Sequence, residues 1–137
     1  ITGNRGELAG RDRIQLQNVL MQLKKCCNHP YLFEGHAPVG EYYSDHIFQV
    51  SGKFELLDRM LPKFIKAGHK VLIFSQFTQI LDVMTTYFWY RHIPNLRLDG
   101  ATKNEDRKAC LDKFSNPDSV EKVFMLSTKA GGLGLNL

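Results

Sequence analysis

The sequence lacks the features that define several large classes of protein. It contains no apolar run near the roughly 20 residues that a membrane-spanning helix needs, and no basic-then-apolar start typical of a secretory signal. Its three cysteines are an odd number without the spacing of a disulfide framework, which favours a reducing compartment. These absences predict a protein with no membrane partner and no disulfide scaffold.

The composition is that of one folded domain. Of the 137 residues, 43% are apolar and 23% are charged, close to the average for globular proteins. Lys and Arg outnumber Asp and Glu by 18 to 14, and the excess is spread along the chain, so a polyanionic partner is permitted without being indicated. The chain starts at Ile1 in a polar stretch and stops after a glycine-rich segment. We therefore expect a piece of a longer protein, with residues 1–10 as a flexible leader.

Hydrophobic periodicity predicts two helices in the first half of the chain. The first runs from Arg11 to the residue before Pro30 and is followed by an irregular loop to residue 50. The second starts at Ser51-Gly52 and stops at Gly68. Their expected buried stripes are Leu16, Val19, Leu20, Leu23 and Cys27 in the first helix, and Leu56, Leu57, Met60, Leu61 and Phe64 in the second.

Two further helices are predicted in the second half. One covers the apolar positions of residues 77–88, and the other starts at the capping box Thr102–Glu105 and runs to about Phe114. Pro62, inside the second helix, is expected to kink or restart that helix.

Short apolar runs predict three strands between these helices. They are Lys70–Ser75, Leu96–Leu98 and Lys122–Ser127, and the first and third read as strands buried on both faces. Strands that alternate with helices indicate an α/β fold, in which a parallel sheet with right-handed crossovers is flanked by helices.

Small and polar residues follow each predicted strand. In a parallel α/β sheet the strands' carboxyl ends meet at one edge, where ligands bind. Three clusters are therefore expected at that edge: Ser75-Gln76, Asp99-Gly100-Ala101-Thr102, and Ser127–Asn136.

The last cluster is chemically the richest. Ser127 and Thr128 offer hydroxyls, Lys129 offers a charge, and three glycines leave the backbone open to phosphate oxygens. The segment is neither a Walker A loop nor a GxGxxG fingerprint. A phosphate-binding loop and a plain glycine turn between strand and helix both fit these residue types.

Other candidate sites are weaker. Cys26, Cys27 and His29 lack the spacing and the fourth ligand of a zinc site, so no metal is predicted and the cysteines are expected to be small buried apolar residues. Asp99 precedes a glycine and is predicted to be a turn residue, with Gly100, rather than an acid or base.

Five ordered segments nevertheless resemble a known family, the SWI/SNF-type DNA translocases of helicase superfamily two. The chain is similar to their second RecA-like lobe, and both the Brahma and the imitation-switch groups fit. The segments that carry the resemblance are Lys25–Tyr31, Ser51–Asp58, Val71–Gln76, Arg97–Gly100 and Leu126–Asn136.

The resemblance implies a domain plan and a mechanism. Residues 11–50 would link the lobes, and residues 51–137 would form a RecA-like C-terminal helicase lobe, truncated before its last motif. Two such lobes clamp ATP and Mg²⁺ between them and grip double-stranded DNA on a nucleosome. The longer protein would be a nuclear DNA-dependent ATPase within a remodelling complex.

The resemblance also implies roles for residues at the strand ends. DNA contacts fall on Ser75, Gln76, Arg97, Ser127, Thr128 and Lys129, and the nucleotide cleft falls on Gly131, Gly132, Gly134 and Asn136. Lys129 replaces the commoner arginine, which keeps the charge but loses the bidentate fork.

No catalytic residue is expected in the fragment itself. It contains no Walker A loop and no acidic magnesium-binding box, so we expect neither ATP hydrolysis nor cofactor binding by this chain alone. An alternative function is a non-catalytic DNA- or nucleosome-binding module with a RecA-like fold. A metabolic α/β enzyme is disfavoured, because all five segments would then match by coincidence.

Overall fold

A computed structural model describes residues 18–33 and 44–131 of the chain. The expected leader, residues 1–10, lies outside these ranges, as do Leu16, Gly132, Gly134 and Asn136. In chain order the elements are α1 (residues 18–26), a 3₁₀ turn (Pro30–Leu32), α2 (His46–Gln49), α3 (Gly52–Lys66), β1 (Val71–Ser75), α4 (Thr78–Tyr90), β2 (Asn95–Leu98), α5 (Asn104–Ser115), β3 (Val123–Ser127) and α6 (Thr128–Gly131).

The three strands form one parallel sheet in the order β1-β3-β2, which confirms the predicted α/β fold. Ser75 on β1 lies opposite Ser127 on β3, and Leu98 on β2 lies opposite Leu126. All three carboxyl ends therefore reach the same edge of the sheet.

β3 divides the core into two layers because its side chains alternate between the faces of the sheet. Val123 and Met125 pack with α2, α3 and α4, whereas Phe124 and Leu126 pack with β2 and with Phe114 of α5. Every residue of β3 is buried, as the sequence predicted for this strand.

β1 differs from its prediction, because it is buried on one face only. Leu72 is 39% exposed and Phe74 is 56% exposed, whereas Val71 and Ile73 pack against the core. Within the described residues β1 lies at the edge of the sheet, and α5 packs on β2 at the opposite edge. A continuous apolar run does not reveal which of its faces has a layer above it.

The predicted stripe of α3 is also largely wrong. Leu61 is fully buried, but Leu56, Met60 and Phe64 are exposed, and the helix turns Phe54 inward instead. Pro62 does not restart the helix, which runs unbroken to Lys66.

The ends of α3 follow the sequence signals. Ser51 caps the first turn by accepting from the Phe54 amide, and Gly68 follows the last turn at φ +82°, a conformation that glycine adopts without steric cost. Asp58 in α3 accepts hydrogen bonds from the Tyr87 hydroxyl (2.9 Å) and from Arg91 Nε (2.7 Å), which joins α3 to α4.

α1 is helical as predicted, but its stripe is not buried. Val19, Leu20 and Leu23 are exposed, and so are Cys26 and Cys27, both free thiols. The expectation of buried cysteines is therefore wrong, since no described element packs over this side of α1. No helix among the described residues has the length and apolar character to cross a membrane.

The region predicted as an irregular loop is partly ordered by polar contacts. His29 is fully buried; its Nε2 donates to the Ile47 carbonyl (2.6 Å) and its Nδ1 accepts from the Tyr31 amide (3.1 Å). Ser51 Oγ donates to the Asn28 carbonyl at 2.6 Å. These bonds attach the 3₁₀ turn to α2 and α3.

The predicted capping box of α5 does not form. Thr102 Oγ1 accepts from the Asp99 amide (3.0 Å), so it serves the preceding turn, and the helix starts at Asn104 after Lys103. The local turn competes with the cap for the same hydroxyl, and the turn is formed.

Candidate functional site

The residues that follow the three strands lie together at one edge of the sheet. We call this the exit edge: Ser75–Phe77 after β1, Asp99–Thr102 after β2, and Ser127–Lys129 after β3. The exit of β3 lies between the other two because β3 is the central strand.

The exit of β1 is a tight turn built on Ser75. Its Oγ accepts from the Phe77 amide (3.1 Å) and donates to the Phe77 carbonyl (3.0 Å), and α4 starts at the next residue. Gln76, at the tip, is exposed. The hydroxyl of Ser75 therefore shapes the turn, and the side chain of Gln76 is presented to solvent.

The exit of β3 places a charge beside this turn. Ser127 is 3% exposed, whereas Thr128 and Lys129 are exposed. The segment predicted as a loop turns at once into α6, which covers Thr128–Gly131. Of the predicted nucleotide-cleft residues only Gly131 lies within the described part of the chain, at the end of this short helix.

The exit of β2 is closed by Asp99. Its Oδ1 accepts from the Ala101 amide (2.9 Å), and the Thr102 amide donates to its carbonyl (3.2 Å). Desolvation opposes ionisation of this carboxyl, but the Ala101 amide and Arg97 outweigh it and lower its pKa. Asp99 is thus an ionised turn residue, with Gly100 exposed at the tip of the turn.

Arg97 precedes this turn, and its guanidinium is held on two sides. Nε donates to Asp99 Oδ2 (2.9 Å), and Nη1 donates to Asp82 Oδ1 of α4 (2.7 Å), with Thr85 Oγ1 at 3.4 Å. Burial works against the charge, yet these carboxylates raise the pKa of Arg97. The family resemblance implies a DNA contact for Arg97, which stays a prediction; the structure shows the guanidinium in ion pairs with Asp82 and Asp99.

Two residues at this edge were missed by the sequence analysis. Asp82 lies 15 residues before Arg97, and only the packing of α4 on the sheet brings them together. Lys53, whose Nζ donates to Asn28 Oδ1 (2.9 Å), lines a cavity of about 180 Å³ that Ser75 also lines. Lys53 lies inside the Ser51–Asp58 segment that carries the family resemblance, which could have identified it as a site residue. No sequence pattern could have identified Asp82.

The described residues do not assemble a metal site. Across residues 18–33 and 44–131, no three His, Cys, Asp or Glu side chains lie close enough together to hold a metal ion. The prediction that Cys26, Cys27 and His29 bind no zinc stays a prediction.

Comparison with known proteins gives a consistent picture. Residues 52–137 match the protein family described as "Helicase conserved C-terminal domain". The chain is 54% identical over 125 residues to the probable ATP-dependent DNA helicase CHR12 of Arabidopsis thaliana, covering 89% of this chain and 11% of the relative. It is 53% identical over 126 residues to the chromatin structure-remodeling complex subunit snf21 of Schizosaccharomyces pombe, covering 89% and 10%.

A human relative shows the same relation. The SWI/SNF-related matrix-associated actin-dependent regulator of chromatin subfamily A member 1 is 50% identical over 127 residues, which covers 92% of this chain and 12% of the relative. The chain therefore spans about a tenth of the length of the curated relatives that it matches.

Solved structures share the fold. The C-terminal domain of a Sulfolobus solfataricus SWI2/SNF2 ATPase matches with a TM-score of 0.75 at 27% identity, covering 100% of this chain and 54% of that domain. The SWI2/SNF2 ATPase core from the same organism, solved in complex with dsDNA, matches with a TM-score of 0.70 at 26% identity, covering 93% and 24%.

Proposed function

Because the chain belongs to the helicase conserved C-terminal domain family and is about half identical to SWI/SNF-type chromatin-remodelling ATPases, we propose that it is the C-terminal RecA-like lobe of an ATP-dependent DNA translocase. In the longer protein this lobe grips double-stranded DNA and forms one wall of the ATP cleft. By the same proposal, the longer protein acts on nucleosomes, belongs to a remodelling complex and is located in the nucleus.

The observation that carries the DNA grip is the exit edge. Gln76, Thr128 and Lys129 are exposed on neighbouring strand exits, so one phosphate backbone can meet all three. We propose that Ser75 and Ser127, at the ends of β1 and β3, belong to the same DNA-binding surface and help to fix the position of the two exits. Phosphate contacts carry no sequence information, which suits a motor that must track any DNA.

The ATP cleft is proposed for Gly131 at the end of α6 and for Gly132, Gly134 and Asn136 after it in the sequence, together with the first lobe of the same longer protein. The described residues do not fit an ATP–Mg²⁺ site on their own, because they bring no three acidic, His or Cys groups together. The sequence also has no Walker A loop. We therefore assign ATP and Mg²⁺ to the longer protein, with the first lobe holding their phosphate and metal ligands.

The test replaces Lys129 by Ala in the full-length protein and measures DNA affinity against salt on two unrelated duplexes. Loss of one phosphate contact should reduce the slope of log affinity against log salt by about one, equally on both sequences. Basal ATP hydrolysis should survive better than DNA-stimulated hydrolysis.

A matched control is Lys63→Ala. Lys63 is exposed near the end of α3, close to where the chain enters β1 and thus away from the exit edge, so its loss should leave the slope unchanged. Equal slopes for wild type and Lys129→Ala would make Lys129 a surface charge. A full-length protein that binds DNA but shows no DNA-stimulated hydrolysis would instead be the non-catalytic DNA- or nucleosome-binding module.

A further inference from the structure

Arg97 belongs to a cluster that joins elements from two strand exits. Its side chain leaves β2 on the face that α4 covers, because its neighbours Leu96 and Leu98 pack on the other face with Phe114. There it contacts Asp82 and Thr85, one turn apart on α4, and Asp99 in the turn after β2.

This cluster connects segments that follow two different strands. α4 starts immediately after the exit of β1, and Asp99 lies in the exit of β2. β1 and β2 are the outer strands, and β3 lies between them. The guanidinium therefore links α4, the helix that follows the exit of β1, to the exit of β2.

The charges of the cluster argue against a phosphate ligand. One guanidinium faces two carboxylates, so the cluster carries a net charge of −1, and all three guanidinium nitrogens already contact protein oxygens. The Arg97 side chain is 28% exposed and that of Asp99 13% exposed, so the pair is largely shielded from solvent. A phosphate would therefore approach a guanidinium whose N–H groups are mostly engaged, and it would do so against the net negative charge of the cluster.

We propose that Arg97 is a positioning residue, held by Asp82 and Asp99, that keeps the exits of β1 and β2 in register around the DNA-contacting exit of β3. The proposal rests on the proposed function, since it assigns the cluster a role in coupling DNA contact to ATP hydrolysis. Asp82 gains a role in it as the anchor on α4.

The chemistry of the side chain explains why arginine occupies this position. The guanidinium is a rigid planar fork whose separate nitrogens reach two carboxylates at once. A lysine carries the same charge on a single nitrogen and cannot span both partners in this geometry. Mutation can therefore separate the effect of the positive charge from the effect of the contact with two carboxylates.

The experiment uses the full-length protein and three variants. Arg97→Lys keeps the charge and loses the fork. Asp82→Asn removes the anchor from an exposed position, where the protein tolerates substitution. The double variant Asp82→Asn/Arg97→Gln removes the ion pair while the net charge of the cluster stays the same. Each is compared with Lys129→Ala for salt slope, basal and DNA-stimulated ATP hydrolysis, and amide hydrogen exchange at Ala101.

We expect all three variants to lose roughly tenfold in DNA-stimulated hydrolysis and to lose less in basal hydrolysis, since small displacements of contacting groups are costly. The double variant should keep the wild-type salt slope. Asp82→Asn should bind DNA at least as tightly as wild type, because it removes a negative charge. Exchange at Ala101, whose amide donates to Asp99, should accelerate most in the double variant, in which Asp99 loses the guanidinium, and less in Arg97→Lys, which keeps a positive charge.

Two outcomes would overturn the proposal. A slope reduced by about one in the double variant would make Arg97 a phosphate ligand. Unchanged DNA stimulation and unchanged exchange at Ala101 in all three variants would leave the cluster without a positioning role. Failure of the proposed function looks different: wild type would lack DNA stimulation or Lys129→Ala would keep the full slope, whereas exchange at Ala101 would still report whether Arg97 holds the turn.

Discussion

At the scale of single residues, the buried polar side chains of His29, Ser51 and Ser119 have definite hydrogen-bond partners. His29 is the clearest case, because both ring nitrogens have assigned roles: Nε2 must carry the proton that the Ile47 carbonyl accepts, and Nδ1 must be free to accept from the Tyr31 amide. Burial, and to a lesser extent nearby His46, lower its pKa, although the bond to Ile47 acts in the opposite direction. The folded chain therefore favours the neutral imidazole of His29.

This assignment predicts a pH dependence of stability. Between the lowered pKa of the folded chain and the ordinary value of about 6.5, the unfolded chain binds more protons at this residue than the folded chain does. The contribution of His29 should be complete above pH ~6.5 and decline as the pH falls below it. Urea unfolding from pH 8 to pH 5 measures it, with His29→Gln as the control that cannot titrate. Parallel pH profiles for the two proteins would contradict the assignment.

Single-residue roles were predictable only where the partner is close in sequence. The Asp99-Gly100 pair predicts a turn, and the structure has one, because its hydrogen bonds span two or three residues. The Arg97–Asp82 pair depends on α4 packing against the sheet, so no local pattern announces it. The exposure of Cys26 and Cys27 was missed for the same reason, since burial depends on what packs above a helix.

At the scale of elements, the sequence predicts type and order better than surroundings. All three strands and the helices between them form where the apolar runs and the helical periodicity placed them, because both patterns are local properties of the sequence. Whether an apolar face is covered depends on other elements. β3 is buried on both faces because it is central, whereas β1, with a similar composition, exposes Leu72 and Phe74.

The contact between Lys70 and the end of α5 contributes to the free energy of unfolding. Lys70, just before β1, donates through Nζ to the Phe114 carbonyl and to the Asn116 carbonyl (2.9 Å) at the end of α5, and lies over the Phe114 ring. It satisfies carbonyls that lack partners within the helix and places a positive charge at the helix C-terminus.

We expect Lys70→Ala to lower the free energy of unfolding by about 1 kcal/mol. Lys70→Met is the matched control, since it keeps most of the aliphatic stem over Phe114 and removes only the charge and the donors. Urea unfolding of both variants separates the two contributions. If Lys70→Met is as stable as wild type, packing alone explains the contact.

At the scale of the whole molecule, the described part of the fold gathers the residues proposed to contact DNA, but it does not gather the groups that an ATP–Mg²⁺ site needs. The strand exits gather exposed polar and charged side chains at one edge of the sheet, but the described residues bring no metal-binding group of acidic side chains together. The curated relatives are roughly ten times longer than this chain, so the remaining chemistry has room outside it. Under the proposed function, this lobe supplies one half of the ATP site and a second lobe of the longer protein supplies the other half.

The final prediction follows from this division. The isolated 137-residue chain should release no phosphate from ATP, with or without duplex DNA, whereas the full-length protein should do so and be stimulated by DNA. Phosphoryl transfer needs positioned Mg²⁺ and a cradle for the phosphates, and the sequence contains no Walker A loop to provide the cradle. Phosphate release is measured against a heat-treated sample, and the Lys129→Ala chain serves as the control for contaminating ATPases. Release by the wild-type chain that exceeds both controls would show that this lobe carries a hydrolytic site of its own, and the assignment of ATP and Mg²⁺ to the longer protein would then be wrong.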